Sequence, residues 1–543
     1  MTGTRVERLR DGGGLAVAAV RALAGAGALR PLPPARFLEA VRAARTLGMG
    51  AAGGCAISAA RDPDGLAVID ERGSLTFAEL NARAARIAAG LRAEHGVGPS
   101  RSLAVMCRNH RGFVEAMLTA SRLGADLLLL NTDFPGPQLA QALGPHTLGA
   151  VVHDEEFAPV LHAAGYDGER VLAWHDEAAG AATLDALAAS NAASPPAPAS
   201  PGRLVILSSG TTGPPKGAPR APSASAALGP LTTLLEHLRP RAGDPILIGP
   251  PVFHGFGLAF LGIGLFIGAP VVLRRRFDAA AALADVATHR ATHVVGVPAM
   301  LQRILALDPA ERARHDTSSL RAVGSAAAPL APHLAHAFMD VYGELLFDLY
   351  GSTETGIASI AGPADLRAAP GTVGRPPRGI TLKVLDGERR EAPAGVTGHV
   401  FIGSGLLFDG YTGGGSRELV DGLMNTGDLG HLDAAGRLFI DGREDDMIVS
   451  GGENVFPQEV ADALLACELV ADAAVFGVED ADFGQRLRAY VVAAPAAEVT
   501  PELLLAHLRE RLARYKLPRD VVFLEEIPRN PTGKVQRARL PQA

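Results

Sequence analysis

Lysine is scarce in this chain: it occurs only at Lys216, Lys383, Lys516 and Lys534, against 47 arginines. Two of the four stand in glycine-punctuated runs, Ser208-Ser-Gly-Thr-Thr-Gly-Pro-Pro-Lys-Gly217 and Asn530-Pro-Thr-Gly-Lys-Val-Gln536. A composition that writes nearly every surface cation as arginine should keep a lysine where a compact ammonium on a flexible stem is needed, because a planar guanidinium is a poor substitute at a crowded phosphate. The first run places four hydroxyl residues (Ser208, Ser209, Thr211, Thr212), the glycines Gly210, Gly213 and Gly217, and Lys216 directly after the apolar stretch Leu204-Val-Ile-Leu207. Glycines allow positive φ and close approach of backbone N–H groups to an anion, while hydroxyls add donors and lysine adds charge. The run is built as a phosphate cradle. It is not a Walker A loop, which requires Ser or Thr after its lysine, so a nucleotide's magnesium must be held elsewhere. The two lysine runs lie more than three hundred residues apart, which implies that separate domains meet over one substrate.

The elements that must position these groups read as alternating strands and helices. Apolar runs at 102–107, 125–130, 150–152, 246–249, 271–273, 293–297 and 320–323 predict strands, and 113–123, 258–268, 278–289, 299–307 and 332–342 predict helices. That alternation predicts an α/β fold with parallel sheets covered by helices on both faces. The Pro/Ala/Ser stretch 192–202 reads as a linker. After about residue 375 short strands and turns indicate a β-rich subdomain. From Arg443 a small α+β unit follows, with helices at 457–467 and 501–515 and strands at 473–476, 488–492 and 521–524. The domain boundaries expected are 1–52 for an N-terminal helical extension, 53–442 for the core and 443–543 for a mobile lid.

At 543 residues the chain has room for two to four domains. Its net charge of −7 argues against a nucleic-acid footprint. Three widely spaced cysteines suggest neither a disulfide framework nor a zinc cluster, so a reducing, cytoplasmic compartment is expected. The apolar run after Arg10 is interrupted by Arg21 and is too short to span a bilayer. Residues 14–50 are rich in Ala and Arg and could rest as helices on the body or on a lipid surface. Peripheral membrane contact and a homodimer are both compatible with the sequence.

Further motifs follow in order: Pro251-Val-Phe-His-Gly-Phe-Gly257, Tyr350-Gly-Ser-Thr-Glu-Thr-Gly356, Thr426-Gly-Asp428, Gly442-Arg-Glu-Asp-Asp-Met-Ile448 and Ser450-Gly-Gly-Glu-Asn-Val455. Together with the two lysine runs they resemble the acyl-adenylate-forming superfamily, from about residue 55 to 540. Residues 106–114 and 128–134 are similar to bacterial medium- or long-chain fatty-acyl-CoA ligases. The resemblance implies a two-step reaction: a carboxylate attacks the α-phosphate of ATP and releases pyrophosphate, and a thiol, usually coenzyme A, then displaces AMP.

The residue chemistry fits each assigned role. Glu354 is a hard oxygen ligand for Mg²⁺, and Thr353 beside it offers a hydroxyl to the α-phosphate. Tyr350 and Gly351, flanked by Asp348 and Ser352, give adenine an aromatic face and open backbone. Ala327, Ala328 and Pro329 fall on the adenine side, where relatives often carry a second glycine. Asp428 can accept from the two ribose hydroxyls, with Arg443 donating to the same sugar. The resemblance makes Lys534 the cation that swings in on the lid to balance charge between carboxylate and α-phosphate. It makes Asp445 the hinge and Ser450, Gly451, Gly452 and Glu453 the face presented for thioester formation.

For the acid, the resemblance points to Phe253, His254, Gly257, Gly296, Val297, Pro298, Gly324 and Ser325. These are small or apolar apart from His254, which is as readily a packing histidine as a gate. No carboxylate stands where an α-amino acid's ammonium would need one, so a fatty or aryl acid is expected. A ligase that delivers acyl groups to a carrier protein, an aryl-acid CoA ligase, and a non-catalytic acyl-nucleotide binding protein are the alternatives. No serine stands in the Gly-x-Ser-x-Gly setting of a hydrolase.

Overall fold

In the computed structural model there are two large sheets of mostly parallel strands, and the helices Phe77–His95 and Arg111–Leu123 each pack against strands of both. The structure describes residues 5–541 except 177–179, 191–195, 209–215, 221–223, 409, 411–415, 451–452, 481–483, 496 and 531–532. The expected calls at Ser209, Gly210, Thr211, Thr212, Gly213, Gly451 and Gly452 therefore lie outside the described residues.

The eight-stranded sheet runs from Gly356–Ala361 through Leu346–Ser352, Ala322–Ala326, His293–Gly296, Ile246–Ile248, Val271–Leu273 and Leu66–Asp70 to Gly73–Thr76. Its interior pairings are all parallel, and antiparallel hairpins close both edges. The six-stranded sheet follows the order Arg170–Trp174, Leu148–Asp154, Ser102–Met106, Leu127–Leu129, Leu204–Ser208, Lys216–Arg220. Interior strands such as Leu103, Ala104, Val105 and Met106 are buried on both faces, the burial that a continuous apolar run records. One core cluster contains residues from both sheets and from the helices between them, including Val68, Leu103, Ile246 and Leu265.

Local signals set the helix ends. The helix Phe77–His95 starts at a capping box in which Thr76 and Glu79 exchange bonds, and it stops at Gly96 in the left-handed region. Three helices precede the first strand: α1 (Arg5–Gly25), α2 (Pro34–Leu47) and α3 (Ala51–Arg61). Among the described residues no helix is long and apolar enough to cross a membrane.

A third, antiparallel sheet contains Thr372–Gly374, Leu438–Arg443, Leu423–Leu432, Gly398–Gly403 and Thr381–Leu385. The fourth, from Ile448 to Phe523, packs Pro457–Leu465 and Pro501–Arg509 against a separate apolar cluster. Three expectations are corrected. The strand expected at 320–323 is Ala322–Ala326, because Leu320 turns back to the Thr317 carbonyl and the small residues Gly324, Ser325 and Ala326 lie in the sheet. The helix expected to reach 515 stops at Arg509, where Leu512 and Leu517 fold back onto the apolar cluster. The strands at 473–476 and 488–492 are parts of one long hairpin, Val470–Asp480 with Gly484–Ala493.

Candidate active site

The hairpin Leu346–Ser352/Gly356–Ala361 presents Thr353, Glu354 and Thr355 at its tip. Ser352 Oγ accepts the N–H groups of Glu354 and Thr355, both at 3.2 Å, and the Glu354 carbonyl accepts from Phe408 N–H at 2.9 Å. Gly351 is dictated by close approach: a Cβ there would sit 2.0 Å from the Gly356 carbonyl oxygen.

Asp428 reaches the same place from the antiparallel sheet. It pairs across strands with Arg443, whose Nη1 lies 3.8 Å from Asp428 Oδ1. Tyr350 Oη donates to Asp428 Oδ2 at 2.5 Å, so one carboxylate oxygen already has a fixed partner. Burial raises the Asp428 pKa, against the opposing pull of Tyr350, Arg443 and Arg417. Burial first, and then the Asp428 charge, push the Tyr350 hydroxyl well above its ordinary value. Arg417 has no motif around it; the structure brings its guanidinium beside Gly427, where a Cβ would meet Nη1 at 2.7 Å.

Lys534 enters from the opposite end of the chain on a closed turn. Its N–H donates to Asn530 Oδ1 at 2.9 Å, Asn530 N–H returns to its carbonyl at 2.8 Å, and Gly533 adopts φ +82. Arg529 braces the turn by donating to the Gly533 carbonyl at 3.0 Å while pairing with Asp472 at 2.8 Å. Gly533 lies against the core: a Cβ there would approach Val297 Cγ2 to 3.3 Å. Two further contacts hold the units together, Gln302 Nε2 donating to the Ala471 carbonyl and Arg303 facing Glu526 at 3.8 Å. The Lys534 residue keeps solvent contact, yet its ammonium lies deep enough for desolvation to lower its pKa. The Arg443 charge lowers it further, while Glu354, Asp428 and Asp446 oppose.

His254 sits at the start of the helix Gly255–Ile267. The turn before it is clamped by Asn109, a buried residue in the loop after the strand Ser102–Met106 of the other sheet, which donates to the Pro250 carbonyl and accepts from Val252 N–H, both at 2.8 Å. Burial, and then the positive charge of Lys534, push the His254 pKa down to about 4, so its imidazole is neutral at pH 7. Lys534 is thus brought within electrostatic reach of His254, Glu354, Asp428 and Arg443, although the five span residues 254 to 534.

The cradle 208–217 is described only at its ends: Ser208 and Lys216 pair across the hairpin Leu204–Ser208/Lys216–Arg220. Asp445 lies exposed in the turn Glu444–Asp446 between two sheets. Ser450 and Glu453 pair in a hairpin whose tip is not described.

The candidate acyl residues divide. Phe253 is buried in the main core, and the space of a Gly257 side chain is taken by the Pro251 carbonyl, 2.7 Å from a would-be Cβ. Gly296 and Gly324 face apolar groups: Leu301 and Met300 for the first, Phe260, Leu349 and Leu238 for the second, at 3.5–3.9 Å. Val297 and Pro298 are buried at the start of the helix Pro298–Leu305. Phe260, Leu238 and Leu349 carry no motif, and only their position in apolar helices and strands could have flagged them.

Ser325 and Asp348 are register partners on adjacent strands, both buried, and neither Ser325 Oγ nor Asp348 Oδ1 has a hydrogen-bond partner among the described residues. Burial pushes the Asp348 pKa up to about 7, with Ser325 and the Leu349 backbone pulling the other way. A carboxyl whose pKa is higher folded than unfolded holds an extra proton in the native state, so stability falls as pH rises from about 4 to about 7. Asp348→Asn is therefore expected to raise the thermal midpoint at pH 8 and to leave it nearly unchanged near pH 4. An equal shift at both pH values in a thermal melt would contradict this.

Ala327 adopts φ +72, in the left-handed region that an alanine side chain disfavours. The αL penalty is about 1–2 kcal/mol, and the extra freedom of unfolded glycine returns roughly 0.4–1 kcal/mol of it. Ala327→Gly should thus stabilise the chain by up to about 1.6 kcal/mol in urea unfolding. A loss of stability would show the strain assignment to be mistaken.

The chain matches the AMP-binding enzyme family over residues 55–412 and the AMP-binding enzyme C-terminal domain over residues 459–534. It is 32% identical over 499 residues to a fatty acid–[acyl-carrier-protein] ligase of Streptomyces coeruleorubidus, covering 89% of this chain and 94% of that one. It is 32% identical over 475 residues to an indoleacetate–CoA ligase of Aromatoleum aromaticum, covering 85% and 92%. Among solved structures, an anthranilate CoA ligase in complex with anthranoyl-AMP superposes with a TM-score of 0.81 at 26% identity, over 90% of this chain and 96% of that one.

Proposed function

We propose, for a chain that belongs to the AMP-binding enzyme family and is an AMP-forming acid–thiol ligase, that its acid is a medium- or long-chain fatty acid and its thiol coenzyme A. The observation that carries the site assignment is the meeting of Lys534, from the C-terminal unit, with His254, Glu354, Asp428 and Arg443.

In the first step a carboxylate oxygen attacks the α-phosphorus of ATP, the bond to the β-phosphate oxygen breaks, and pyrophosphate leaves. Two anionic reactants must approach, and charge builds on the α-phosphate oxygens. A preorganised ammonium stabilises that charge in the transition state, and Lys534 supplies it in this reading. Lys216 and the cradle hydroxyls hold the phosphates; Thr353 supports the α-phosphate. Asp428 and Arg443 hold the ribose, with Tyr350 fixing the Asp428 carboxylate. Asp348, Gly351, Ser352 and the 327–329 turn line the adenine. A single half-buried carboxylate at a hairpin tip with hydroxyl neighbours suits Mg²⁺, which takes one or two protein carboxylates and completes its shell with phosphate oxygens and water. Glu354 is the residue that would hold it, and the ion would neutralise phosphate charge. In the second step the thiol sulfur attacks the acyl carbon and AMP leaves. Rotation of the C-terminal unit about Asp445 replaces Lys534 by the Ser450–Glu453 hairpin.

The neutral His254 and the apolar groups around Gly296 and Gly324 favour an alkyl chain over a charged acid. A carrier-protein acceptor is the second reading, favoured by the likeness to a fatty acid–[acyl-carrier-protein] ligase. Pyrophosphate release across a panel of alkyl and aryl acids, with free coenzyme A present or absent, tests both choices. Alkyl acids should give thioester with free coenzyme A. Adenylate without thioester would select the carrier-protein reading, and turnover of aryl acids alone would reject the fatty-acid one.

A further inference from the structure

We infer that α1 and α2 form a docking surface for an anionic lipid bilayer, lying on the membrane rather than crossing it. The family match begins at residue 55, so these helices stand outside it. α3 is the anchored layer beneath: most of it is buried, and Ser58 Oγ donates to the Leu265 carbonyl at 2.7 Å. α2 packs over α3 and has no buried residue at all.

The outward side of α2 is apolar and basic together. Phe37 is 57% exposed and Leu38 66% exposed, and Arg42 and Arg45 follow Leu38 at i+4 and i+7, which places them on one face. Val20 on α1 and Met49 after α2 are also more than half exposed. Singly exposed apolar residues are ordinary, but adjacent Phe37 and Leu38 exposed beside two arginines on one helix are not.

Charge identifies the occupant. Residues 14–50 hold five arginines and one glutamate in a chain whose net charge is −7. Elsewhere most described arginines are in ion pairs, as Arg83, Arg111, Arg274 and Arg529 are. Among the described residues none of Arg21, Arg30, Arg36, Arg42 and Arg45 has a carboxylate within 4.0 Å. A protein surface carrying the chain's average acidic charge would have paired some of them. An amphipathic helix with arginines beside exposed Phe and Leu fits the interface of an anionic bilayer, where side chains enter the acyl boundary and guanidinium groups meet phosphates.

Flotation of the full-length enzyme with phosphatidylcholine vesicles, with or without phosphatidylglycerol, tests the surface. Wild type should float only with phosphatidylglycerol, and added salt should weaken it. Arg42→Glu with Arg45→Glu, and separately Phe37→Glu with Leu38→Glu, should each reduce partitioning roughly tenfold or more. Both variants should keep wild-type pyrophosphate release on a short, water-soluble acid, which shows that they fold. Equal flotation of wild type and variants, or no flotation of wild type, would overturn the inference. So would a wild-type dimer that either double substitution converts to monomers in analytical ultracentrifugation, since the face would then belong to a second copy.

Discussion

Replacing Lys534 by alanine is expected to lower adenylate formation by about 10²–10³, the usual cost of removing one preorganised donor from a developing oxyanion, and to spare thioester formation from supplied acyl-AMP. The split follows from placement. Lys534 feels the charges of Glu354 and Asp428, and in the proposed mechanism it leaves when the C-terminal unit turns for the thiol. Lys534→Arg should fail to rescue, because a planar guanidinium is a poor substitute for a compact ammonium at a crowded phosphate. A second readout needs no substrate. The Lys534 charge helps hold the His254 pKa down at about 4, so its removal should raise the imidazole's titration midpoint in NMR. Equal loss in both half-reactions, or an unmoved histidine, would separate Lys534 from the site.

Glu354→Gln is expected to lower turnover by roughly 10²-fold and to shift the magnesium dependence to higher concentration. The substitution keeps the size of the side chain and the backbone bonds that shape its turn, Ser352 Oγ to the Glu354 and Thr355 N–H groups. What it removes is the anionic oxygen. Saturating magnesium should restore part of the rate. A variant with unchanged metal dependence would place the ion on other residues and leave Glu354 a turn residue.

The chemistry-bearing motifs were legible because they need unusual residues in fixed local order. A lysine in an arginine-rich chain, a Thr-Glu pair at a hairpin tip and a Thr-Gly-Asp strand segment are all short-range patterns. The parallel sheets were legible for a related reason: a strand buried on both faces must be apolar without interruption, as 102–106 and 293–296 are. Small residues hid the rest. Gly324, Ser325 and Ala326 carry no β signal, yet parallel neighbours on both sides make them strand. Asn109 and Asp446 could not be found from order alone, because each acts on a segment far away in sequence, Asn109 on the turn before His254 and Asp446 on Lys534; Arg417 acts on Asp428 only eleven residues on, but stands in no motif. The unpartnered Oδ1 of Asp348 is likewise a tertiary fact, created when the strand seals it beside Ser325.

The membrane-facing reading of α1 and α2 has the opposite history. Their composition allowed either packing or lipid contact, and the lipid proposal rests on exposed Phe37 and Leu38 together with arginines that have no carboxylate partner among the described residues.

Isotope transfer tests the central account most directly. With a fatty acid carrying heavy oxygen in its carboxyl group, one labelled oxygen should appear in AMP and none in pyrophosphate, because the acid oxygen bonded to the α-phosphorus stays there when the thiol takes the acyl carbon. Label in pyrophosphate or inorganic phosphate, or thioester formed with unlabelled AMP, would mean that the groups gathered around Lys534 serve a different reaction.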